Sequence, residues 1–432
     1  MTRATRLAGF ASQDPIVVDV ASTANWAISG SNGTPSIANV SIATPPYLPA
    51  VGVPTTGMQI SQGTAASQTN ILQTFGAAKD LSGASYIDIL VYWPNPPVGN
   101  TPTLYLDSTG SNFTNYFLAT LNGTLTGTQK RGWNTYRILK SAFSTGAGSP
   151  SWSNITRAQF RLTATAGADS LVLCKISAAY RSRAKVLLTL DDSPISQFAA
   201  VQEANTAGIK VTCNIVPSLI NSGGGVTYMS AANLQTLLAA GNPIQTHGWD
   251  HTSFIDQADG GLADMIRQRE WMDANGLGAA VNPGYYHHAF VQGDHNATVD
   301  AALARLGVLT ARAVRSSSYS AGPPERFEQT ASWDLQNAGF GLVDPYSLNC
   351  AALNNTSYTA TQALAAVDKA ISHGTTVWFY AHVISSSAAD FSAANWTSLV
   401  NGIKLRVNAG LIDAITQPQY YQQINGGRAS LN

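Results

Sequence analysis

The chain has 432 residues, more than one ordinary domain needs, and its 44% apolar content is enough to build buried cores. Only 11% of the residues are charged, below the roughly 25% that is usual in soluble domains. The 24 basic and 24 acidic residues cancel, which makes nucleic acid and anionic membranes poor partner candidates. A polar but uncharged surface suits a neutral polymer such as a glycan.

The cysteines and the start of the chain exclude further classes. The three cysteines, Cys174, Cys213 and Cys350, are far apart and show no Cys-x-x-Cys spacing, so we predict buried free thiols. Residues 1–10 lack the apolar core of a signal peptide. No run approaches the about 18 apolar residues of a membrane-spanning helix. We therefore expect no membrane insertion and, for any role outside a cell, a route other than a cleaved leader.

Residues 1–180 have the pattern of an all-β domain. Short strand-like runs alternate with Gly, Pro, Ser and Asn, and helical periodicity is almost absent, which predicts a β-sandwich. The predicted strands are 16–20, 58–60, 86–92, 103–106, 159–163 and 168–176.

The tryptophans of this domain have two interpretations. Trp26, Trp93, Trp133 and Trp152 either stack on sugar rings or belong to the sandwich core. The stretches Gly132-Trp-Asn-Thr-Tyr136, Ser141-Ala-Phe143 and Trp152-Ser-Asn-Ile155 resemble the edge of a jelly-roll carbohydrate-binding module. The resemblance implies a carbohydrate-binding N-terminal domain.

A short basic stretch, Ala179-Tyr-Arg-Ser-Arg-Ala184, marks the domain boundary, and 181–432 form the second domain. From 185 onward, strand and helix patterns alternate with short connections, which predicts a parallel sheet. The predicted strands are 185–190, 209–216, 243–246, 285–291, 308–314, 342–343, 375–381 and 411–415. The predicted helices are 194–207, 230–240, 262–275, 297–306, 361–372 and 393–409. The number of units favours a (β/α) barrel, complete or incomplete, over an open doubly wound sheet.

Polar residues that can hold a metal follow three of these strands. The apolar strand 185–190 runs into Asp191 and Asp192, two adjacent acids that are costly to hold together unless a metal or a proton separates their roles. The third strand leads into His247 and His251, whose spacing puts both imidazoles on one side of a helix or tight turn. His382 follows a later strand. Because the carboxyl ends of barrel strands share one face, these side chains should converge there.

This combination predicts a hydrolase. Singly, the Asp pair can cap the next helix, and each histidine has an ordinary structural explanation. Together, two imidazoles and one carboxylate form a three-ligand site with an open position, suited to Zn²⁺ or another divalent transition metal. Such a metal lowers the pKa of water to about 7 and polarises a carbonyl. One aspartate can bind the metal while its neighbour accepts a proton, and His382 can protonate the leaving group of an amide or ester.

The same residues resemble a known family. Thr189-Leu-Asp-Asp-Ser193, Thr246-His-Gly-Trp-Asp-His251 and His382-Val-Ile384 resemble, in this order, three motifs of the polysaccharide deacetylases, the NodB-type carbohydrate esterases. The resemblance covers about 185–420 and implies a distorted (β/α) barrel of the NodB deacetylase type. It also implies that Asp191 is the general base, that His382 is the general acid, and that Asp192, His247 and His251 bind the metal, usually zinc.

The chain departs from the family in its third motif. The family has Arg-x-Pro-Tyr or, in one branch, Phe-Ala-Tyr-Pro, whereas this chain has His288-Ala-Phe-Val-Gln-Gly-Asp-His-Asn296. The arginine that steadies the base is missing there, and Arg312 and Arg315 are its candidate replacements. The oxyanion-hole amide of the family would fall near Phe290. Asp344 either tunes the acid histidine or forms a turn before the next proline.

The remaining histidines have ordinary explanations. We expect His287, His288, His295 and His373 at surface or half-buried positions, with His288 also a candidate for lining the cleft. Trp249, inside the metal motif, either packs or forms a sugar platform.

The sequence thus predicts a metal-dependent deacetylase that removes N- or O-acetyl groups from a polysaccharide, such as a bacterial surface glycan. The alternatives are a glycan-binding protein with weakened catalysis and a metal-dependent amidase on a non-sugar substrate. The domain arrangement also resembles phage tail proteins, so we expect an extracellular or virion-associated protein. Other copies of the chain or virion proteins are then candidate partners.

Overall fold

A computed structural model of the protein describes residues 16–18, 23–29, 35–41, 56–62, 68–94, 102–110, 112–121, 132–163, 169–179, 183–222, 227–314, 346, 348, 350–356, 358–385 and 391–424. These residues fall into two compact units that separate between Ser182 and Arg183. Within them, every helix is too short or too polar to cross a membrane. Arg315, Asp344 and the predicted strand 342–343 lie outside the described residues.

The N-terminal unit is a β-sandwich of two antiparallel sheets, as predicted. Its strands are β1 (Ile16–Val18), β2 (Ala27–Ile28), β3 (Ser36–Ser41), β4 (Thr56–Gln62), β5 (Gln68–Lys79), β6 (Tyr86–Trp93), β7 (Thr103–Asp107), β8 (Tyr116–Thr120), β9 (Gly132–Leu139), β10 (Ser144–Ala147), β11 (Ile155–Thr163) and β12 (Asp169–Ala179). One sheet has the order β3-β4-β12-β6-β9, with β1 also paired to β12. The other has the order β10-β8-β7-β11-β5-β2.

Two of the tryptophans belong to the sandwich core. Trp26 and Trp93 are buried among Ile, Leu and Val side chains from both sheets. Trp152 stacks on Phe117, with the ring centroids 4.1 Å apart, and packs at the edge of the same core. The core explanation is therefore confirmed for Trp26 and Trp93, and the side chain of Trp133 lies outside the described residues.

The C-terminal unit alternates strands and helices. Its elements are β13 (Ala184–Asp191), α1 (Ser196–Thr206), β14 (Thr212–Ile215), α2 (Ala231–Ala239), β15 (Ile244–Thr246), α3 (Leu262–Ala274), β16 (His287–Ala289), α4 (Ala297–Arg305), β17 (Thr310–Arg312), β18 (Ala351–Ala352), α5 (Ala360–His373), β19 (Thr376–Ala381), α6 (Ala393–Asn408), β20 (Ile412–Ala414) and α7 (Gln417–Ile424). The predicted helices of this unit are confirmed to within two residues at either end. The strand β18 and the helix α7 were not predicted.

The strands of this unit form a parallel sheet that curls into a barrel. Its order is β17-β16-β15-β14-β13-β19-β18, and β20 pairs with the start of β13. Leu348, just before β18, forms a parallel bridge with Arg312 of β17, while β18 itself pairs with β19. This segment connects the two edges of the sheet, so the distorted (β/α) barrel is confirmed and the open sheet is not found.

The central strand β13 is buried on both faces, as its apolar run predicts. Val186, Leu188 and Leu190 pack in the large core that the strands share with the surrounding helices. Leu187 points the other way and packs with Trp378 and with Tyr420 of α7. The polar residues that follow β13 are therefore held at the end of a rigid strand.

Candidate metal centre

The predicted site residues lie at the carboxyl ends of the barrel strands. Asp191 is the last residue of β13, and Asp192 follows it. His247 and His382 come directly after β15 and β19. The structure brings these four side chains and His251 together, with the closest ion-pair distances between them from 3.2 to 3.9 Å.

The loops that carry the ligands have strained backbones. Asp192 and Ser193 have φ of 71° and 65°, and His251 has φ of 64°, all in the left-handed region. Such conformations cost about 1–3 kcal/mol each for residues other than glycine, so the surrounding structure must enforce them. Gly248, with φ of 83°, leaves room for Val291, whose Cγ2 would lie 2.9 Å from an added Cβ. His247 and His251 therefore meet through a looped turn and not on a helix.

Asp192, His247 and His251 form a group that can hold a metal ion, since their ligand atoms all lie within 4.8 Å of one another. Asp192 Oδ1 is 3.4 Å from His247 Nε2 and 3.2 Å from His251 Nε2. Two ligands of a tetrahedral zinc ion, each at about 2.0–2.1 Å, are about 3.3 Å apart. The spacing of these donor atoms therefore fits a zinc-sized ion.

The hydrogen bonds of the site support the same assignment. His247 Nδ1 donates to the carbonyl of Ala289 at 2.8 Å, which leaves the lone pair of Nε2 for a metal. Asp192 Oδ1 is buried and makes no hydrogen bond of good geometry within the described part of the chain. Burial alone would raise the pKa of Asp192, but the neighbouring His247 and His251 hold that pKa below its ordinary value. The carboxylate is therefore ionised and ready to bind a cation.

Asp191 has different surroundings and does not belong to the metal group. Its side chain is only 2% exposed, its Oδ1 accepts from Asn214 Nδ2 at 2.7 Å, and its Oδ2 accepts from Arg312 Nη2 at 2.5 Å. Burial alone would raise the pKa of Asp191, but Arg312 and His247 hold it below its ordinary value. Of the two arginines that the sequence suggested as partners of Asp191, Arg312 on β17 therefore contacts it, and Arg315 lies outside the described residues.

Arg312 also contacts a cysteine. Arg312 Nη1 donates to Cys350 Sγ at 3.2 Å, and the Cys350 thiol in turn donates to the carbonyl of Ala313 at 3.1 Å. Burial raises the pKa of the Cys350 thiol to about 11, so the group is neutral. Cys174, Cys213 and Cys350 are all buried and free, as predicted.

His382 lies on the open side of the site. Its imidazole is 49% exposed, and Nε2 is 3.9 Å from Asp192 Oδ2. A solvent-accessible imidazole and a fully buried carboxylate thus lie beside the metal group.

Two expectations from the sequence are wrong. The backbone N–H of Phe290 donates to the carbonyl of Arg312 at 2.9 Å, so it is not available as an oxyanion donor. His287, His288 and His295 are buried, whereas surface or half-buried positions were expected. His288 stacks on Phe254 inside the protein and does not line an open cleft. The side chain of His373 lies outside the described residues.

His287 should make the barrel sensitive to acid. The ring is buried and its Nδ1 lies 2.7 Å from Thr310 Oγ1. Burial lowers the pKa of His287 to about 3, from an ordinary value of 6.5. The unfolded chain therefore binds a proton that the folded chain excludes, and stability is lost as the pH falls from 6.5 towards 3, by about 1.4 kcal/mol per pH unit.

The test compares the free energy of unfolding at pH 7 and pH 5 for the wild type and for His287→Gln. We expect the wild type to lose about 2 kcal/mol more than the variant over this range. An equal loss in both proteins would show that His287 is not excluded from protonation in the fold.

Several supporting residues were missed from the sequence. Asp264 and Gln268, one turn apart on α3, hold the loop that carries His247 and His251: Trp249 N–H donates to Asp264 Oδ1 at 2.8 Å, and His247 N–H donates to Gln268 Oε1 at 3.2 Å. Arg267 of the same helix lies over the Trp249 ring, 3.9 Å from its centroid. Asn214 is a polar residue within an apolar strand pattern, the one local signal that pointed to a role for it.

Comparisons with known proteins give likenesses of fold only. No family model matches the chain, and no curated protein matches it. A family 4 carbohydrate esterase from Streptomyces lividans, in complex with acetate, is 15% identical; the match covers 54% of this chain and 94% of that one, with a TM-score of 0.36. A family 11 carbohydrate-binding module from Clostridium thermocellum is 15% identical over 38% of this chain and 94% of that one, with a TM-score of 0.30.

A third similar structure is the enzymatically active domain of tailspike protein 4 from bacteriophage CBA120. It is 15% identical, and the match covers 37% of this chain and 20% of that one, with a TM-score of 0.24. Solved structures of both families that the sequence motifs resemble, carbohydrate esterases and carbohydrate-binding modules, are thus similar to this chain at low identity.

Proposed function

We propose that the C-terminal unit is a metal-dependent deacetylase that hydrolyses N- or O-acetyl groups of a polysaccharide. The observation that carries this proposal is that one aspartate is grouped with two histidines, while the neighbouring aspartate has hydrogen-bond partners of its own. Asp192, His247 and His251 are grouped as metal ligands, while Asp191 is held apart by Arg312 and Asn214.

The donor set determines which residues would hold the metal. One carboxylate and two imidazoles are ligands that Zn²⁺ and other divalent transition metals accept, and three protein ligands leave a position open for substrate. Bound there, the metal would supply Lewis acidity, which makes water a better nucleophile and an acyl carbonyl a better electrophile at neutral pH.

The two groups beside the ligands would move the protons. Asp191 is ionised and oriented on both oxygens, so it can accept a proton from the attacking water as the new carbon–oxygen bond forms. His382, whose imidazole is accessible to solvent, can donate a proton to the departing amine or alcohol as the acyl bond breaks. The products are acetate and the deacetylated glycan.

The test of the function is acetate release from a panel of acetylated bacterial polysaccharides and of small non-sugar amides. We expect release from a glycan, its loss when a chelator removes the metal, and its return when Zn²⁺ is restored. Release that a chelator leaves unchanged would refute the metal dependence. Release from the small amides alone would favour the amidase alternative.

Metal binding can be separated from proton transfer with a matched pair of histidine variants. His251→Ala removes a ligand that is 36% exposed, so the fold should tolerate it, and the affinity for Zn²⁺ should fall at least 10- to 100-fold. His382→Ala changes another exposed imidazole but no ligand, so Zn²⁺ affinity should be kept while acetate release falls about 10²- to 10⁴-fold. Zn²⁺ titration by calorimetry and the acetate assay check the pair. Equal Zn²⁺ affinities in the two variants would contradict the ligand assignment.

We infer that the N-terminal sandwich binds the glycan. Tyr105, Phe113 and Tyr116 form a cluster with ring centroids 5.6 to 6.4 Å apart. Tyr105 and Tyr116 alternate along their strands with the core residues Leu104, Leu106 and Phe117, so their rings lie on the face away from the core.

Two arginines extend this aromatic cluster. Arg157 lies 4.6 Å from the Phe113 centroid and is held by Asp107, and Arg161 lies 4.6 Å from the Tyr105 centroid and donates to Asn70. Tyr105 and Arg157 are buried, whereas Phe113, Tyr116 and Arg161 are half-buried and reach the surface. Aromatic rings can cover the apolar side of a sugar, and an ordered guanidinium group can donate to its hydroxyls. These three half-buried side chains therefore support binding of a saccharide on this face.

This inference predicts a loss of glycan binding without a loss of turnover on short substrates. Tyr116→Ala should weaken binding to the substrate polysaccharide at least tenfold, because it removes a stacking surface. Trp93→Phe, a change within the sandwich core, serves as the control. Affinity electrophoresis measures binding to the polysaccharide, and acetate release from a short oligosaccharide measures turnover. Unchanged retention of Tyr116→Ala would place glycan binding elsewhere.

We also propose an extracellular or virion-associated location, with virion proteins or further copies of the chain as partners. The low charge and the union of a sandwich with a barrel hydrolase support this location. Mass spectrometry of purified virions would detect the chain; its absence there would favour a secreted bacterial protein.

A further inference from the structure

Gln197 links the two loops that carry Asp191 and His382. It lies in the first turn of α1, and its side chain is fully buried. Its Nε2 donates to the backbone carbonyl of Asp191 and to that of His382, each at 2.5 Å. One amide group thus contacts the backbone of both residues that we assign to proton transfer.

The side chain of Gln197 lies at the point where the backbone pairing between β13 and β19 ends. The pairing between β13 and β19 ends at Leu190 and Ala381. Asp191 and His382 are the next residue on each strand, beyond that last pair. Beyond this last pair, the side chain of Gln197 connects the two strands in place of the backbone hydrogen bonds.

The chemistry of the site determines how the amide is oriented. Both neighbours are carbonyl oxygens, so the NH₂ group must face them, because a rotated amide would bring three oxygens together. Gln197 Oε1 is then buried, with no hydrogen-bond partner among the described residues. A buried unpartnered carbonyl is unfavourable, and a methionine of the same length would avoid it. The glutamine is therefore poorly explained by packing alone.

We propose that Gln197 is a positioning residue that fixes the loop bearing the base relative to the loop bearing the acid. The inference rests on the proposed function for its effect on catalysis. The two groups must act on one acyl centre, and a displacement of about 1 Å in such an arrangement can lower a rate by about 10²-fold. The hydrogen bonds of the Gln197 side chain within the described part of the chain reach backbone carbonyls and none of the side chains of Asp192, His247 and His251.

The test uses Gln197→Met, which keeps the length of the side chain and removes both donors. Gln417→Met is the matched control, because Gln417 is also fully buried in this unit and its amide donates to Thr310 and His288, and not to the backbone of Asp191 or His382. Three quantities are measured on the full chain: hydrogen exchange in the 191–196 and 381–385 segments, Zn²⁺ affinity, and kcat and KM for acetate release.

We expect exchange in both segments of Gln197→Met to rise at least tenfold, Zn²⁺ affinity to stay within about threefold of wild type, and kcat to fall about 10- to 100-fold with KM little changed. The control should change none of these quantities to the same degree. Unchanged exchange in the two segments, or equal losses of kcat in both variants, would overturn the proposal. If the wild type releases no acetate, the exchange result still decides whether Gln197 holds the two loops, and the failure then belongs to the proposed function.

Discussion

Asp191→Asn is expected to lower kcat for acetate release by about 10²- to 10⁴-fold, the range for loss of a general base. The amide cannot accept the proton of the attacking water. Zn²⁺ affinity should stay close to the wild-type value, because Asp192, His247 and His251 are unchanged. Steady-state kinetics and Zn²⁺ titration on the same preparation provide the measurement.

A variant that kept kcat within tenfold of wild type would remove Asp191 from the reaction. Loss of Zn²⁺ binding in Asp191→Asn would instead make this residue a ligand. The substitution also leaves Arg312 without its carboxylate partner in the interior, so the stability of the variant must be measured beside its activity.

Arg312→Met is expected to destabilise the barrel by about 3–5 kcal/mol, because it leaves a fully buried carboxylate without its cation. Arg312 now holds the pKa of Asp191 below its ordinary value, although burial alone would raise it. Without the guanidinium, that pKa should rise and the base should become protonated. Activity is then lost together with stability.

The double variant Asp191→Asn/Arg312→Met separates these two losses. It removes both charges, so most of the stability should return, whereas activity should not. Denaturant titrations, monitored by hydrogen exchange in the barrel strands, give the free energies of unfolding of the wild type, the two single variants and the double variant. A double variant as unstable as the sum of the two single variants would show that the pair is not coupled.

The local pattern of the sequence was sufficient for much of the barrel. The apolar run of β13 and the alternation of strands and helices after it predicted the parallel sheet, because a strand covered on both faces needs a continuous apolar stretch.

In the N-terminal sandwich, the strand β5 was missed, since it begins with Gln, Thr and Asn and has Gly76 near its end. The helix α7 was missed because Tyr420 is buried by distant strand residues, which no local period records.

The contacts that support the site residues could not be read from short motifs. The spacing of Asp191, Asp192, His247 and His251 is visible in short motifs. The contact between Asp191 and Arg312 spans 121 residues, and Arg315 was an equal candidate in the sequence. Likewise, nothing local shows that His287 and His288 face the interior, because burial depends on the elements that pack over β16.

By itself, the sequence therefore determined the class of each unit and the residue types that can bind a metal and move protons. These depend on hydrophobic periodicity and on chemical identity, both of which are local properties. Only the tertiary structure decided which arginine holds Asp191, that the amide of Phe290 is already bonded, and that Gln197 joins the ends of β13 and β19. Those contacts arise from the curling of the sheet, which brings together side chains far apart in the chain.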